Sequence, residues 1–227
     1  MGGNNIRITG IQFRGPHMLY PYDYGNNVKA GIASVNRTGT VVDNCEILGW
    51  SYAGIWLVGD TGSWTAHIHH NKIHHCCSVD SGGGGYGYGI LQNFGNCLIE
   101  ANDFDYCRHA TIFEGCEGEI GEWRFNNYGT HGVNPVVDCH TDCGMWYKGG
   151  ISGSTYRVHH NTILYTGSYS WNVYGTPAVG CYFYNNIVQM GMRAYSGTTL
   201  RLYMYDNYVM SSSCPDKLCP GWNGYIG

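Results

Sequence analysis

A six-residue phrase recurs along this chain and constrains its fold more than any other feature. Its frame is an apolar residue, two variable residues, asparagine, a variable residue and a second apolar residue. Successive copies begin 34, 26, 31, 24, 35, 25 and 21 residues apart, a spacing typical of stacked repeats. In two early copies, Ile8–Phe13 and Val42–Ile47, the asparagine is replaced by Ile11 and Cys45. The copies that keep asparagine are Ile68–Ile73, Ile99–Phe104, Trp123–Tyr128, Val158–Ile163, Phe183–Val188 and Met204–Val209.

Each repeat is predicted to consist of short strands joined by tight turns. The segments are rich in Ile, Val, Tyr and Thr, none keeps a helical apolar period for three turns, and glycine supplies 35 of 227 residues. A recurring asparagine suits a turn with left-handed geometry, and stacked asparagines can hydrogen-bond to one another. We therefore predict an all-β fold, a right-handed single-stranded parallel β-helix of about eight coils spaced roughly 4.8 Å apart. Asn71, Asn102, Asn126, Asn161, Asn186 and Asn207 should form one column.

The repeated frame and its asparagines resemble the right-handed parallel β-helix proteins of the pectate-lyase-like superfamily. The resemblance covers nearly the whole chain and implies the fold. Such folds carry lyases, hydrolases, epimerases, adhesins and structural spikes, so the resemblance alone does not select an activity.

Length and composition indicate one domain over residues 1–227, a rod roughly 40 Å long at about 4.8 Å per coil. A formal charge of -4 with 12% charged residues does not favour nucleic-acid binding. No run of eighteen apolar residues indicates a membrane span, and no signal peptide is recognised. The first repeat begins so early that an N-terminal cap is expected to be absent. Either an upstream segment is missing, or this end stacks on another chain as a self-associating oligomer.

Eleven cysteines favour an oxidising compartment, outside the cell or at its surface, or a thermophilic source. Cys76 and Cys107 each lie five residues after their ladder asparagine, so they should be neighbours in adjacent coils, about 4.5–6.5 Å apart at Cα. Cys214 and Cys219 could close a terminal loop. The odd total leaves at least one thiol unpaired or intermolecular.

Three longer intervals are predicted to be loops that leave the rod: residues 14–29, 77–87 and 141–153. Loops on a rigid scaffold often carry function. Their tyrosines and tryptophans, including Tyr86, Trp146 and Tyr147, suit stacking on sugar rings, although any one of them could equally serve packing.

The histidine pairs His69-His70 and His159-His160 suggest metal ligands at first sight. However, the position after the first apolar residue reads Asp43, His69, Glu100, Arg124, His159, Tyr184, Tyr205, with charge signs that alternate between stacked neighbours. Cross-strand pairing on an exposed face favours such alternation. We interpret these histidines as part of a surface charge ladder, with bound zinc or copper as the alternative.

Arg108-His109 and Asp138-Cys139-His140 are predicted to begin equivalent strands in adjacent coils. Asp138 and His140 are two residues apart on a strand, so they share a face. This set suits chemistry on a uronic acid: the guanidinium binds the carboxylate, an imidazole takes the C5 proton, and an acid such as Tyr128 or Tyr147 protonates oxygen or returns a proton. The alternative is a buried Asp-His pair that ties down loops.

The Asp-x-His pair is similar to the Asp-Pro-His signature of β-helix mannuronan C5-epimerases, with Cys139 in place of the proline. This resemblance implies that Asp138 and His140 are catalytic. Arg108-His109-Ala110, Asp138-Cys139-His140 and the His-His-Asn-Thr frame also look like a widespread group of β-helix repeat proteins, which implies a shared site.

The acidic residues of the chain bear on whether a metal cofactor is bound. Calcium, as in pectate lyases, needs clustered acidic ligands. Glu114, Glu117, Glu119 and Glu122 are close in sequence, but we expect them on a solvated loop, so no cofactor is assigned and calcium is left open.

Two classes of function follow. The first is an extracellular lyase or epimerase that acts on an acidic polysaccharide, with Arg108, His109, Asp138 and His140 catalytic and Tyr86, Tyr128, Trp146 and Tyr147 in contact with substrate. The second is a non-catalytic rod, a surface subunit or glycan-binding spike. Assembly in solution would distinguish the two.

Overall fold

A computed structural model describes residues 4–16, 30–59, 65–76, 78–79, 85–93, 95–115, 118–133, 135–140, 155–167, 169–175, 177–194, 201–211 and 224–226. No described residue is helical. None of them belongs to a helix that could reach across a bilayer.

The described residues form short strands, as expected from their β-branched and aromatic composition. In chain order they are β1 (Arg7–Thr9), β2 (Gln12–Arg14), β3 (Ala30–Val35), β4 (Thr40–Asp43), β5 (Glu46–Leu48), β6 (Ala53–Val58), β7 (Thr65–His69), β8 (Lys72–His74), β9 (Ser78–Val79), β10 (Gly85–Tyr86), β11 (Tyr88–Asn93), β12 (Asn96–Glu100), β13 (Asp103–Asp105), β14 (His109–Phe113), β15 (Ile120–Arg124), β16 (Asn127–Tyr128), β17 (Val137–His140), β18 (Thr155–His159), β19 (Thr162–Ile163), β20 (Trp171–Tyr174), β21 (Gly180–Tyr184), β22 (Ile187–Val188), β23 (Met192–Ala194), β24 (Leu202–Tyr205), β25 (Tyr208–Val209) and β26 (Gly224–Ile226).

Three stacked sheets take their strands from successive repeats. The nine-stranded sheet has the order β1-β4-β7-β12-β15-β18-β21-β24-β26, the eight-stranded sheet β2-β5-β8-β13-β16-β19-β22-β25, and the seven-stranded sheet β23-β20-β17-β14-β11-β6-β3. Pairing within them is parallel, except that β26 runs antiparallel to β24. The chain thus visits each sheet once per repeat, which confirms the all-β prediction and fits a parallel β-helix. The hand of the winding and the number of coils stay predictions.

The asparagine column is confirmed and lies between the nine-stranded and eight-stranded sheets. Each side chain from Asn71 to Asn186 donates through Nδ2 to Oδ1 of the next asparagine, at 2.9–3.1 Å. Each Nδ2 also donates to a backbone carbonyl of the preceding coil, as Asn126 does to Ile99 at 3.0 Å. The left-handed residue of the turn precedes the asparagine, as at His70 and Ala101 (φ 54° and 53°). The asparagine therefore bridges coils, while its neighbour makes the turn.

The surface ladder of the nine-stranded sheet is also present. Asp43, His69, Glu100, Arg124, His159, Tyr184 and Tyr205 are successive partners across the strands. Arg124 Nε donates to Glu100 Oε2 at 2.7 Å, so opposite charges do pair. His159 differs from the expectation of an exposed residue. Its ring is buried, because it stacks on Tyr184 at 4.7 Å between centroids.

The cysteine register agrees with the sequence. His74 pairs with Asp105, so Cys76 and Cys107 face each other two positions further, and the N–H of Arg108 donates to the Cys76 carbonyl at 3.1 Å. Both side chains are buried, and neither is in a disulfide. Cys214 and Cys219 lie outside the described residues.

Of the three predicted loops, only parts are described. Residues 17–29 and 141–154 lie outside the described residues. Within 77–87, β9 and β10 pair antiparallel, which makes a small hairpin beside the seven-stranded sheet.

An irregularity at the start of β14 decides which of its side chains face outward. Ala110 lies in the core cluster, and the next residue, Thr111, hydrogen-bonds inward to Tyr128. Two successive residues therefore face the interior. His109, just before them, faces outward, and so do Ile112 and Glu114 further along the chain.

Candidate functional site

Strands β14 and β17 bring the predicted catalytic residues together. They are parallel neighbours in which Ile112 is the partner of Asp138 and Phe113 is the partner of Cys139. Phe113 and Cys139 belong to the core, so Asp138 and His140 on either side of Cys139 face outward. His109 is the first residue of β14 and meets Asp138 diagonally rather than directly across.

Asp138 is the hub of this cluster. Nε2 of His140 donates to Asp138 Oδ2 at 3.1 Å, and Nε2 of His109 lies 3.7 Å from the same oxygen. Nδ2 of Asn172, from β20, donates to Asp138 Oδ1 at 3.0 Å. Asp138, His109 and His140 are only 3%, 4% and 9% exposed, so these contacts are made with little water present and are stronger for it.

The surroundings keep Asp138 ionised despite its burial. Burial alone would raise its pKa, but His140, His109 and the Asn172 amide outweigh that effect and hold the pKa at about 2. A permanent carboxylate beside His140 orients the imidazole through its Nε2–H and stabilises the imidazolium. The other nitrogen, Nδ1, then carries the lone pair of the neutral ring.

His109 is held in the neutral form. Burial is the main cause that lowers its pKa to about 4, against the opposing pull of Asp138. Its Nδ1–H donates to the carbonyl of Pro135, and its ring stacks on Tyr88 with centroids 5.8 Å apart. Since the ring is neutral near pH 7, its 3.7 Å contact with Asp138 is not a salt bridge in that range.

Glu114 is a fourth member that the sequence interpretation missed. It follows Phe113, the partner of Cys139, and therefore stands opposite His140 on the neighbouring strand. Burial raises the pKa of its carboxyl, Asp138 raises it further, and His140 opposes both. Strand alternation from Phe113 was the available signal. We call His109, Glu114, Asp138 and His140 the acid–base cluster.

An aromatic strip borders the acid–base cluster on the same outer face. It consists of Tyr52, Trp56, Tyr86 and Tyr88, with Tyr52 at 5.1 Å from Trp56, 5.2 Å from Tyr86 and 6.2 Å from Tyr88 between centroids. Tyr86 is 42% exposed, which agrees with its predicted place at the surface. The guanidinium of Arg108 lies 5.8 Å from the Tyr88 centroid, where it joins the strip to the cluster.

Two buried polar atoms on this face lack a hydrogen-bond partner among the described residues. They are Oδ1 of Asn172, whose Nδ2 holds Asp138, and Nε1 of Trp56 in the strip. Such atoms are uncommon in folded proteins, where buried polar groups are nearly always hydrogen-bonded.

The structure describes only some of the residues that were predicted to contact substrate. Tyr128 is 1% exposed, its ring stacks on Phe104 at 5.0 Å and its hydroxyl lies 3.2 Å from Thr111 Oγ1. This interior position fits packing better than contact with substrate or proton donation. Tyr128 occupies the second apolar position of the repeat frame, so its inward direction was readable from the sequence. Trp146 and Tyr147 lie outside the described residues.

The expectation that the neighbouring glutamates lie on a solvated loop is wrong for two of them. Glu119 is fully buried; its Oε2 accepts from the N–H of Gly115 at 2.7 Å and from the hydroxyl of Tyr156 at 3.0 Å. Glu114 belongs to the acid–base cluster, whereas Glu122 pairs with Arg124 on the nine-stranded sheet. Glu117 lies outside the described residues. The part of the chain that is described contains no group of three or more His, Cys, Asp and Glu side chains that could hold a metal ion.

A cavity of about 190 Å³ lies at the end of the stack formed by the first strands, away from this chemistry. Its walls come from the first two repeats and include Ile6, Ile8, Ile32 and Thr40. It lies at the end of the apolar interior and contains no acid–base set, so the candidate site is the outer face of the seven-stranded sheet.

No family model matches the sequence, and comparisons with curated proteins and with solved structures found no match.

Proposed function

We propose that the protein is a carbohydrate-active enzyme, a lyase or epimerase that abstracts the C5 proton of an acidic polysaccharide outside the cell or at its surface. The proposal includes a right-handed β-helix of about eight coils, as in the pectate-lyase-like superfamily. The observation that carries it is the convergence of Asp138, His140 and His109 on one outer face, with Arg108 at its margin.

The proton abstractor in this proposal is His140. Its Nε2–H is fixed on Asp138 at 3.1 Å, which leaves Nδ1 as the basic atom. Asp138 stabilises the imidazolium that forms when the proton arrives. Asn172 positions Asp138 in turn, through the 3.0 Å bond to its other oxygen.

The charge of the substrate is matched by Arg108. A bound uronate carboxylate pairs with its guanidinium, and this pairing withdraws electron density from C5 and makes the C5 proton easier to remove. Sugar rings on the adjoining coils stack on the aromatic strip, whose exposed member is Tyr86.

The test is activity over a panel of uronic acid polymers, followed by ultraviolet absorbance of unsaturated products and by deuterium uptake at C5 in heavy water. His140→Ala and Arg108→Ala should each reduce activity by about 100-fold or more, in the range for lost acid–base or charge-stabilising groups. Lys72→Ala, on the eight-stranded sheet, is the matched surface control and should keep full activity. A wild type that is silent on every polymer, or alanine variants as active as the wild type, would refute the proposal.

A non-catalytic rod is the second candidate, favoured by the apolar cavity at the first repeat. Among the described residues, nothing pairs with the outer edges of β1, β2 and β3, and open edges of this kind promote association. Sedimentation velocity separates the two candidates: filaments or stacked oligomers without activity on the polymers support the rod, whereas an active monomer excludes it.

A further inference from the structure

The acid–base cluster contains two carboxyl groups in opposite electrostatic situations. Asp138 is surrounded by imidazoles and an amide, whereas Glu114 is partly buried and faces His140 from the neighbouring strand. Divergent environments of this kind separate the roles of two carboxyls, one permanently ionised and one able to give up a proton.

Glu114 and His140 are positioned to act on one substrate group from the same side. Adjacent parallel strands lie about 4.8 Å apart, and both residues follow core residues that are register partners, Phe113 and Cys139. Two groups at this separation reach neighbouring atoms of a single sugar, such as a carbon-bound hydrogen and the oxygen on the next carbon.

We propose that Glu114 is the general acid that protonates the leaving oxygen, so that the enzyme is a lyase working by syn elimination on 4-linked hexuronates of the gluco or manno configuration. This inference rests on the proposed function and deepens it. It decides between lyase and epimerase and names a class of substrate.

The step balances without any further reactant. His140 Nδ1 takes the C5 proton, and the C5–H electron pair becomes the C4=C5 double bond. The C4–O4 bond breaks with its electron pair on O4, and O4 takes the proton of the Glu114 carboxyl. The products are an unsaturated sugar and a free hydroxyl. The imidazolium and the carboxylate then return to their starting forms when a proton passes between them through water.

Stereochemistry selects the substrate class. The acid–base cluster comes from one outer sheet face, so H5 and O4 must both point toward that face. They lie on the same side of the ring in D-glucuronate and D-mannuronate. They lie on opposite sides in D-galacturonate and L-guluronate. An epimerase would need a proton donor on the opposite side of the ring from its base, and the described groups converge from one side only.

The titration of Glu114 agrees with this role. Its carboxyl has a raised pKa because it is buried, with Asp138 adding to the rise and His140 opposing it. Asn93 on β11, His140 on β17 and its neighbour Tyr174 on β20 complete the surroundings of Glu114 on this face. A protonated carboxyl is therefore available at higher pH than for an exposed glutamate.

The decisive variant is Glu114→Gln, which keeps the shape of the side chain and removes its proton. On 4-linked polymannuronate or polyglucuronate it should lose at least about 100-fold in elimination rate. Glu114→Asp keeps an acid one methylene shorter and should be intermediate. Glu122→Gln, the same change on the nine-stranded sheet, should behave as wild type. Far-ultraviolet circular dichroism checks that each variant folds.

A leaving-group test separates acid catalysis from a structural role. In an oligouronate with a nitrophenyl group on O4, the nitrophenolate leaves as a stable anion and needs no proton. Glu114→Gln should therefore retain nearly full activity on this substrate. The fall of wild-type activity with rising pH should also disappear in this variant. A variant whose only defect is in its structure would lose activity on both substrates.

The outcomes distinguish this inference from the proposed function. Full polymer activity in Glu114→Gln, cleavage confined to polygalacturonate or polyguluronate, or C5 deuterium exchange without cleavage would overturn the lyase inference and leave proton abstraction standing. A wild type that acts on none of the four polymers would overturn both.

Discussion

The asparagine column gives the sharpest stability prediction, and Asn126 at its centre is the residue to change. Nδ2 of Asn126 donates to Asn161 Oδ1 at 3.1 Å and to the Ile99 carbonyl at 3.0 Å. Its Oδ1 accepts from both the backbone N–H and the Nδ2 of Asn102, each at 3.0 Å. All four hydrogen-bonding positions of the amide are filled, and the residue is fully buried.

Asn126→Ala removes these four bonds. Three buried groups then lose the partner that Asn126 provided: the Ile99 carbonyl and the two donors of Asn102. Asn161 Oδ1 keeps a partner, because the backbone N–H of residue 126 still donates to it at 2.9 Å. At about 1–3 kcal/mol for each buried group left without its partner, the expected loss of unfolding free energy is about 5 kcal/mol. That is a large part of the 5–15 kcal/mol typical of a native protein.

Urea denaturation followed by far-ultraviolet circular dichroism measures this loss. Asn127→Ala, one residue further, removes only an exposed 2.9 Å bond to Asp103 and should cost under about 0.5 kcal/mol. Asn207→Ala, at the half-buried end of the column, should fall between the two. The reasoning is that unpaired buried groups cause most of the loss of unfolding free energy. A loss below about 2 kcal/mol for Asn126→Ala, or one equal to that of Asn207→Ala, would refute it.

Two further predictions concern stability, and the tests of His140, Arg108 and Glu114 are given above. Because the pKa of His109 is about 4 in the folded protein and about 6.5 in an unfolded chain, the unfolded state binds more protons between these values. The contribution of the neutral His109 ring to the unfolding free energy, about 3 kcal/mol, is complete above pH 6.5 and is lost as the pH falls toward 4. His109→Gln should flatten this part of the plot of urea midpoint against pH. An unchanged plot would contradict the assignment. A Cβ at Gly121 would lie 1.8 Å from Phe113 Cε1, so Gly121→Ala should cost about 3 kcal/mol through overpacking. Gly118 has a φ of +75°, and a Cβ there would meet nothing within 4 Å, so Gly118→Ala should cost only about 1 kcal/mol. Equal losses of unfolding free energy in the two glycine variants would show that a small shift relieves the contact with Phe113.

The repeat frame predicted most of the fold because its physics is local. An asparagine between two inward apolar residues recurs at the same place in each coil, so its register determined which residues stack, including Asp43 on His69. The same frame also indicates the inward direction of Tyr128, which is 1% exposed. The hand of the winding has no comparable signature in the spacing.

The candidate site was predictable only in part. Asp138 and His140 share a strand face, so alternation alone placed them together. Glu114 could be recognised only from its neighbour across the sheet, since His140 lies 26 residues further along the chain. The buried carboxyl of Glu119 could not be predicted either, because its partner Tyr156 comes from another coil and donates to it at 3.0 Å.

The most direct test of the central claim is a crystal structure of the His140→Ala variant with an acidic oligosaccharide. The account predicts that the sugar lies across the outer face of the seven-stranded sheet. Its carboxylate should lie within hydrogen-bond distance of Arg108, and C5 should point at the space left by the imidazole. An oligosaccharide bound to the tyrosines of the nine-stranded sheet, at the end of the rod, or with its carboxylate away from Arg108 would contradict it.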